Sequence, residues 1–175
     1  MSHHTWLHRI VRPLVRPLVK TPVTPNHLTA LRLVCGMAAA GLFAAGDVTR
    51  DLGALIFLIS MMLDRADGEL ARQSRKFSPW GHRFDLVSDS FCNAIGFFGL
   101  GLGLTSGAFG AIAPVLGAVA GLAIAAILLI VMRAEAANGP RAGEVKGVAG
   151  FDPDDALLVV PLAIWLGGAE ILLAA

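Results

Sequence analysis

The chain has 175 residues, 55% of them hydrophobic and 15% charged, with a formal net charge of +1 and a mean hydropathy of +0.69. A water-soluble domain carries about 25% charged residues, so this composition excludes an ordinary soluble globule, and no nucleic-acid partner is expected. The two cysteines, Cys35 and Cys92, fall inside apolar stretches and form no C-x-x-C pair, so they read as small packing residues rather than as a metal or disulfide framework.

Residues 1–25 include "WLHRIVRPLVRPLVK", where arginines interrupt any continuous apolar core, so the segment is not a signal peptide. Arg9, Arg12, Arg16 and Lys20 recur at helical spacing, with Leu7, Ile10, Leu14 and Leu18 on another face. That pattern predicts an amphipathic helix lying on an anionic membrane surface, distorted by Pro13 and Pro17.

Residues 26–175 are expected to form one transmembrane domain. A bilayer crossing takes roughly 20 apolar residues. The first span is read from Leu28 to Gly46, and the third, fourth and fifth from Leu86 to Leu104, Ala111 to Met132 and Ala156 to Ala175. The second begins at Leu52 but has only about a dozen apolar residues before Asp64, so it is extended as one helix through Ala71. The fold class that follows is all-α, a polytopic transmembrane helix bundle. Small residues at four-residue spacing, Gly36, Ala40 and Ala44 in the first span and Ala113, Gly117, Gly121 and Ala125 in the fourth, predict close helix packing.

With the N-terminus inside, Arg50 is the one basic residue of the outer connections, while Arg72, Arg75, Lys76, Arg133, Arg141 and Lys146 fall inside. The positive-inside rule then sets the stretch "DRADGELARQSRKFSPWGHRFDLVSDS" at the cytoplasmic face. The alanine- and leucine-rich composition suggests a bacterial inner membrane.

That stretch concentrates four aspartates in an otherwise apolar chain. Asp64 and Asp67 are three residues apart, about 60° around a helix and roughly 4.5 Å along it. Gly68 and Ala71 beside them leave room for a bulky ligand. Ser78 and Pro79 offer a cap and a first helical position for the next helix, on which Asp85 and Asp89 share a face and Gly81 lies one turn earlier. Two adjacent antiparallel helices would then each present a carboxylate pair at one membrane level. Such charges repel unless a cation compensates, and hard divalent ions bound by carboxylates commonly bind substrate phosphates as well. Taken alone, Asp64 and Asp67 fit a solvated helix end, but the complete spacing does not.

The spacing Asp64-x-x-Asp67-Gly68-x-x-Ala71-Arg72, then Gly81, Asp85 and Asp89, resembles the signature of the CDP-alcohol phosphatidyltransferases. The resemblance extends more loosely to "TPNHLTALR" before the first span and to "RAEAANG" at the end of the fourth. It implies an integral membrane enzyme, usually a homodimer with six spans, that moves a phosphoalcohol group from a CDP-linked donor to an acceptor hydroxyl and releases CMP. Five spans are read here, so a sixth helix is expected to be missing. The resemblance further implies two Mg²⁺ or Mn²⁺ ions, one held by Asp64, Asp67 and Asp85 and a second by Asp64, Asp85 and Asp89. Asp67, Gly68, Ala71, Arg72 and Gly81 would bind CDP, with Arg72 beside the diphosphate, and Asp89 would be the general base. Asn26, Thr29 and Arg32 would contact the nucleotide or its phosphates, although Asn26 after Pro25 equally reads as a helix cap.

Arg133, Arg141 and Lys146 read either as orienting charge or as contacts for an anionic acceptor. The acidic "FDPDD" departs from the basic run expected of phosphate acceptors. It could cap the fifth helix or favour an uncharged or cationic acceptor. His82 reads as a wet or capping histidine and Trp80 as an interfacial residue, while Glu170 suggests no role. The expected donor is CDP-diacylglycerol, with a soluble CDP-alcohol and a lipid acceptor as the alternative. An intramembrane prenyltransferase would need two separated aspartate motifs. A cation transporter would need a polar path across the bilayer, and neither is visible.

Overall fold

The computed structural model describes residues 6–139, 142 and 153–174. Among these the regular elements are all helical: α1 (Trp6–Val15), α2 (Pro25–Ala44), α3 (Asp47–Ser74), α4 (Pro79–Gly103), α5 (Ala113–Asn138), α6 (Val159–Trp165) and α7 (Ile171–Ala174). Arg141 and Lys146 lie outside the described residues.

Local chemistry sets the boundaries. Pro17 has no N–H to bond the carbonyl of Pro13, and α1 gives way to a 3-10 turn over Arg16–Lys20. Thr24, not Asn26, is the N-cap of α2, because Pro25 takes the first helical position. His27 Nδ1 accepts the Thr24 N–H at 3.3 Å. At α4 the expected cap forms, with Ser78 Oγ accepting the Gly81 N–H at 2.9 Å and Pro79 in the first turn. Arg75, in the left-handed region at φ 56°, turns the chain from α3 toward α4.

By length and hydropathy, three described helices can cross a membrane: Pro25–Ala44, Pro79–Gly103 and Gly110–Asn138. α3 has the length, at 28 residues, but its charges lower its hydropathy. The helices pack in the order α3, α2, α4, α5, so α2 lies between α3 and α4. This corrects the expected adjacency of the two aspartate helices: α3 and α4 touch only marginally, and their carboxylates meet across one end of α2.

The fifth expected span does not form one helix. The chain from Pro153 enters a 3-10 turn, then α6, and breaks at Leu166 before the short α7. Gly167, at φ 76°, supplies the turn. Glu170 anchors the result, its Oε1 accepting the Ala108 N–H from the α4–α5 connection at 2.7 Å.

Most of the small-residue stripes lie in helix contacts, with Ala44 and Ala125 only half-buried. Ala113, Gly117 and Gly121 are the buried residues of α5, and Gly36 and Ala40 are buried in α2. A Cβ on Gly117 would lie 3.1 Å from Gly101 Cα, and one on Gly36 would lie 2.7 Å from Cys92 Cβ. Phe43, Phe57, Leu100, Leu104 and Ile164 fill the main core. A second cluster, Val11, Val15, Leu28 and Leu70, seats α1 on α3. α1 therefore has two apolar faces, with Val11 and Val15 turned to the protein and Ile10 and Leu14 exposed beside the arginines.

Candidate active site and metal centre

The site forms where the second half of α3, the first half of α4 and the first turns of α2 converge. Carboxylate oxygens of Asp64, Asp67 and Asp85 all lie within 4.8 Å of one another. Asp67 is buried, and Thr29 Oγ1 donates to its Oδ2 at 2.6 Å. The Oδ1 atom of Asp85 is buried without a hydrogen-bond partner. Asp89, one turn along α4, is held apart from the three. Its Oδ1 pairs with Arg32 Nη2 and accepts from Asn93 Nδ2 at 2.9 Å.

Arg32 is 2% exposed, and its Nη1 lies 3.3 Å from Asp64 Oδ1. Two like charges 4 Å apart repel by about 4 kcal/mol at an effective dielectric constant of 20. Three carboxylates this close, with Asp89 beside Arg32, therefore need more positive charge than Arg32 and Arg65 supply, since Arg65, 3.6 Å from Asp64, is shared with Asp155. The donor set fits a hard divalent cation: all three residues offer carboxylate oxygens, and one oxygen of the set, Asp85 Oδ1, is buried with no hydrogen-bond partner.

The family model described as CDP-alcohol phosphatidyltransferase matches residues 22–174. The chain belongs to the CDP-alcohol phosphatidyltransferase family. Among curated relatives, it is 36% identical over 86 residues to a bifunctional IPC transferase and DIPP synthase of Rubrobacter xylanophilus, covering 49% of this chain and 19% of that protein. It is 33% identical over 85 residues to the Aquifex aeolicus protein of the same name, covering 49% of this chain and 19% of that one. Similarity to the archaetidylinositol phosphate synthase of Pyrococcus horikoshii is 31% over 101 residues, covering 51% of this chain and 53% of that protein. The chain thus spans about a fifth of the two bifunctional relatives and about half of the Pyrococcus one.

Of the other residues expected at the site, Gly68, Ala71, Arg72 and Gly81 lie on the same two helices as the aspartates. A Cβ on Gly81 would lie 2.9 Å from Asn26 Oδ1, so glycine at that position lets α4 approach the start of α2. Gly68 has no such constraint from its surroundings, its nearest neighbour being the Arg72 guanidinium at 3.6 Å from a built Cβ. Ala71 is half-buried beside it on α3. Arg72 is tied to Glu69, its Nε and Nη2 donating to Oε2 at 3.1 and 2.9 Å. Glu69 also accepts from Gln73 at 2.9 Å and lies 3.6 Å from Arg12 of α1. Arg133 is exposed on α5, two residues before Glu135. Glu135 in turn bonds His82 Nε2 at 3.0 Å, so His82 joins the start of α4 to the end of α5.

Two partnerships escaped the sequence. The acidic segment contributes Asp155, whose Oδ1 accepts from Arg65 Nη2 at 2.9 Å with both side chains buried. Arg65 lies inside the aspartate motif and 3.6 Å from Asp64, so this pair fastens the chain after α5 to the site. Arg32, expected from the sequence beside the nucleotide, joins two aspartates. The signal was its position: a charge inside an apolar helix is retained where it has partners.

Proposed function

We propose that the chain transfers a phosphatidyl group from CDP-diacylglycerol to the hydroxyl of a small alcohol, releasing CMP, as a step of phospholipid synthesis. The observation that carries this reading is the cluster of Asp64, Asp67 and Asp85 in a chain of this family. Those three residues would hold one Mg²⁺ or Mn²⁺, and Asp64 and Asp85 with Asp89 a second. Bound divalent ions neutralise a diphosphate and make CMP a better leaving group.

The chain's own residues do the rest. Asn26, Gly68, Ala71 and Gly81 bound the nucleotide, and Arg72 meets the diphosphate, exchanging part of its pairing with Glu69. Thr29 acts on the nucleotide indirectly, since its hydroxyl proton goes to Asp67. Asp89 takes the proton of the acceptor hydroxyl as that oxygen bonds the lipid-bearing phosphorus. The bond from that phosphorus to the bridging oxygen breaks, and its electron pair leaves with CMP. Arg133, Arg141 and Lys146 supply positive charge for an anionic acceptor. The bundle sits in a bacterial inner membrane as a homodimer, with the aspartate end toward the cytoplasm.

The name of the Pyrococcus relative puts an inositol phosphate first among acceptors to test. The experiment is CMP release from CDP-diacylglycerol by purified protein with Mg²⁺ or Mn²⁺. The acceptors are inositol phosphate, glycerol phosphate, inositol, serine and choline. Release that depends on one acceptor identifies the product. Release only from a CDP-alcohol with a diacylglycerol acceptor would replace the donor assignment, and metal flux in liposomes without CMP release would replace the class.

A further inference from the structure

We propose that Arg32 is a positioning residue for proton transfer, holding Asp89 of α4 in register with Asp64 of α3 from the helix between them. This inference rests on the reading of Asp89 as the proton acceptor. α3 and α4 make only marginal contact, so direct packing does not set the distance between their aspartates. α2 sets it instead. The Arg32 guanidinium reaches Asp89 through Nη2 and Asp64 through Nη1, the latter at 3.3 Å.

Arg32 is itself fixed. Its side chain is 2% exposed, and its carbonyl accepts from Ser60 Oγ of α3 at 3.0 Å, pinning that turn of α2 to α3. Asn93 is the second hand on Asp89, donating to the same Oδ1 at 2.9 Å. Two donors from different helices converging on one oxygen restrict the rotation of the carboxylate. A guanidinium spans two carboxylates with a rigid planar fork, whereas lysine is a point charge on a flexible stem.

Arg32 and Asn93 thus do for the carboxylate what packing does for an ordinary side chain. The chemistry asks for it, because misplacing a reacting group by about 1 Å can cost on the order of 10²-fold in rate.

The test uses the full chain in lipid nanodiscs, with Arg32→Gln, Arg32→Lys, Asp89→Asn and the double variant Arg32→Gln/Asp89→Asn. The readouts are kcat, KM for the donor, and equilibrium binding of CDP itself. Arg32→Gln is expected to lower kcat by about 10²-fold and Arg32→Lys by about tenfold. CDP affinity is expected to stay within about threefold of the parent in both, because the nucleotide contacts are elsewhere. The double variant is expected to be no more than about twofold slower than Asp89→Asn alone, since residues acting as one unit are not additive.

If CDP affinity falls in step with kcat, Arg32 acts on the donor and the inference is overturned. A double variant slowed by the product of the two single effects also overturns it. Should the glutamine variant not fold, Arg32→Lys decides: a tenfold lower kcat with unchanged CDP affinity supports the inference, and a parental kcat overturns it. Parental turnover in Asp89→Asn sinks the proton-acceptor reading and the inference together. An inactive Asp89→Asn beside a fully active Arg32→Lys sinks the inference alone.

Discussion

Arginine–carboxylate pairs occur at both ends of this bundle, and the two ends use them differently. At the aspartate end, Arg32 reaches Asp89 and Arg65 reaches Asp155, partners 57 and 90 residues apart, and the arginines are buried. At the opposite end, Arg50 pairs with Asp47 three residues earlier, and the Asp47 side chain is 73% exposed. Arg50 also donates to the Gly103 carbonyl at 3.0 Å, and Trp165 Nε1 to the Asp51 carbonyl at 3.2 Å. The far end staples connections with backbone-directed bonds and one ion pair whose carboxylate is in solvent, whereas the aspartate end uses buried charge to assemble three helices around one cluster. What separates a site from a staple here is the burial of the charged pair, not residue type or sequence separation.

The largest expected contrast is in turnover. Asp89→Asn should reduce kcat by about 10²–10⁴-fold, the usual worth of a general base. CDP affinity, measured by calorimetry, should hold. Next is stability. Asp155→Ala removes a partner of a buried arginine and should cost about 3–5 kcal/mol. Thermal unfolding in detergent reads this as a lower midpoint, and replacing Arg65 and Asp155 together by Met and Leu should recover much of it.

Smaller effects belong to the far end. Glu170→Ala takes away the acceptor of the Ala108 N–H and should cost about 1 kcal/mol without changing CMP release. Asp47→Asn should change stability by less than about 0.5 kcal/mol, as for other exposed pairs. A larger loss at Asp47 than at Asp155, by the same unfolding measurement, would reverse the comparison between the ends.

Much of this was legible in the sequence, because local periodicity carries it. Three- and four-residue spacing put Asp64 beside Asp67 and Asp85 near Asp89, and the same arithmetic found the glycine stripes. Ser78 and Pro79 marked the start of α4 by local capping chemistry. What was not legible depends on which helices are neighbours. Nothing local says that α2 lies between α3 and α4, so Arg32 and Thr29 read as ligand contacts rather than as supports for aspartates. Asp155 could not be matched to Arg65 across 90 residues. Hydropathy averaged over Ala156 to Ala175 hid the Gly167 turn, which costs no apolar residue. On α1 the inward valines, Val11 and Val15, looked no different from the outward Ile10 and Leu14.

The most direct measurement is metal-dependent CMP release from CDP-diacylglycerol with its best acceptor, run in parallel on the parent, Asp85→Asn and Asp47→Asn. Release is expected from the parent and from Asp47→Asn, abolished by EDTA and restored by Mg²⁺ or Mn²⁺, with none from Asp85→Asn. Equal release from Asp85→Asn and the parent, or release that EDTA leaves untouched, would contradict this expectation.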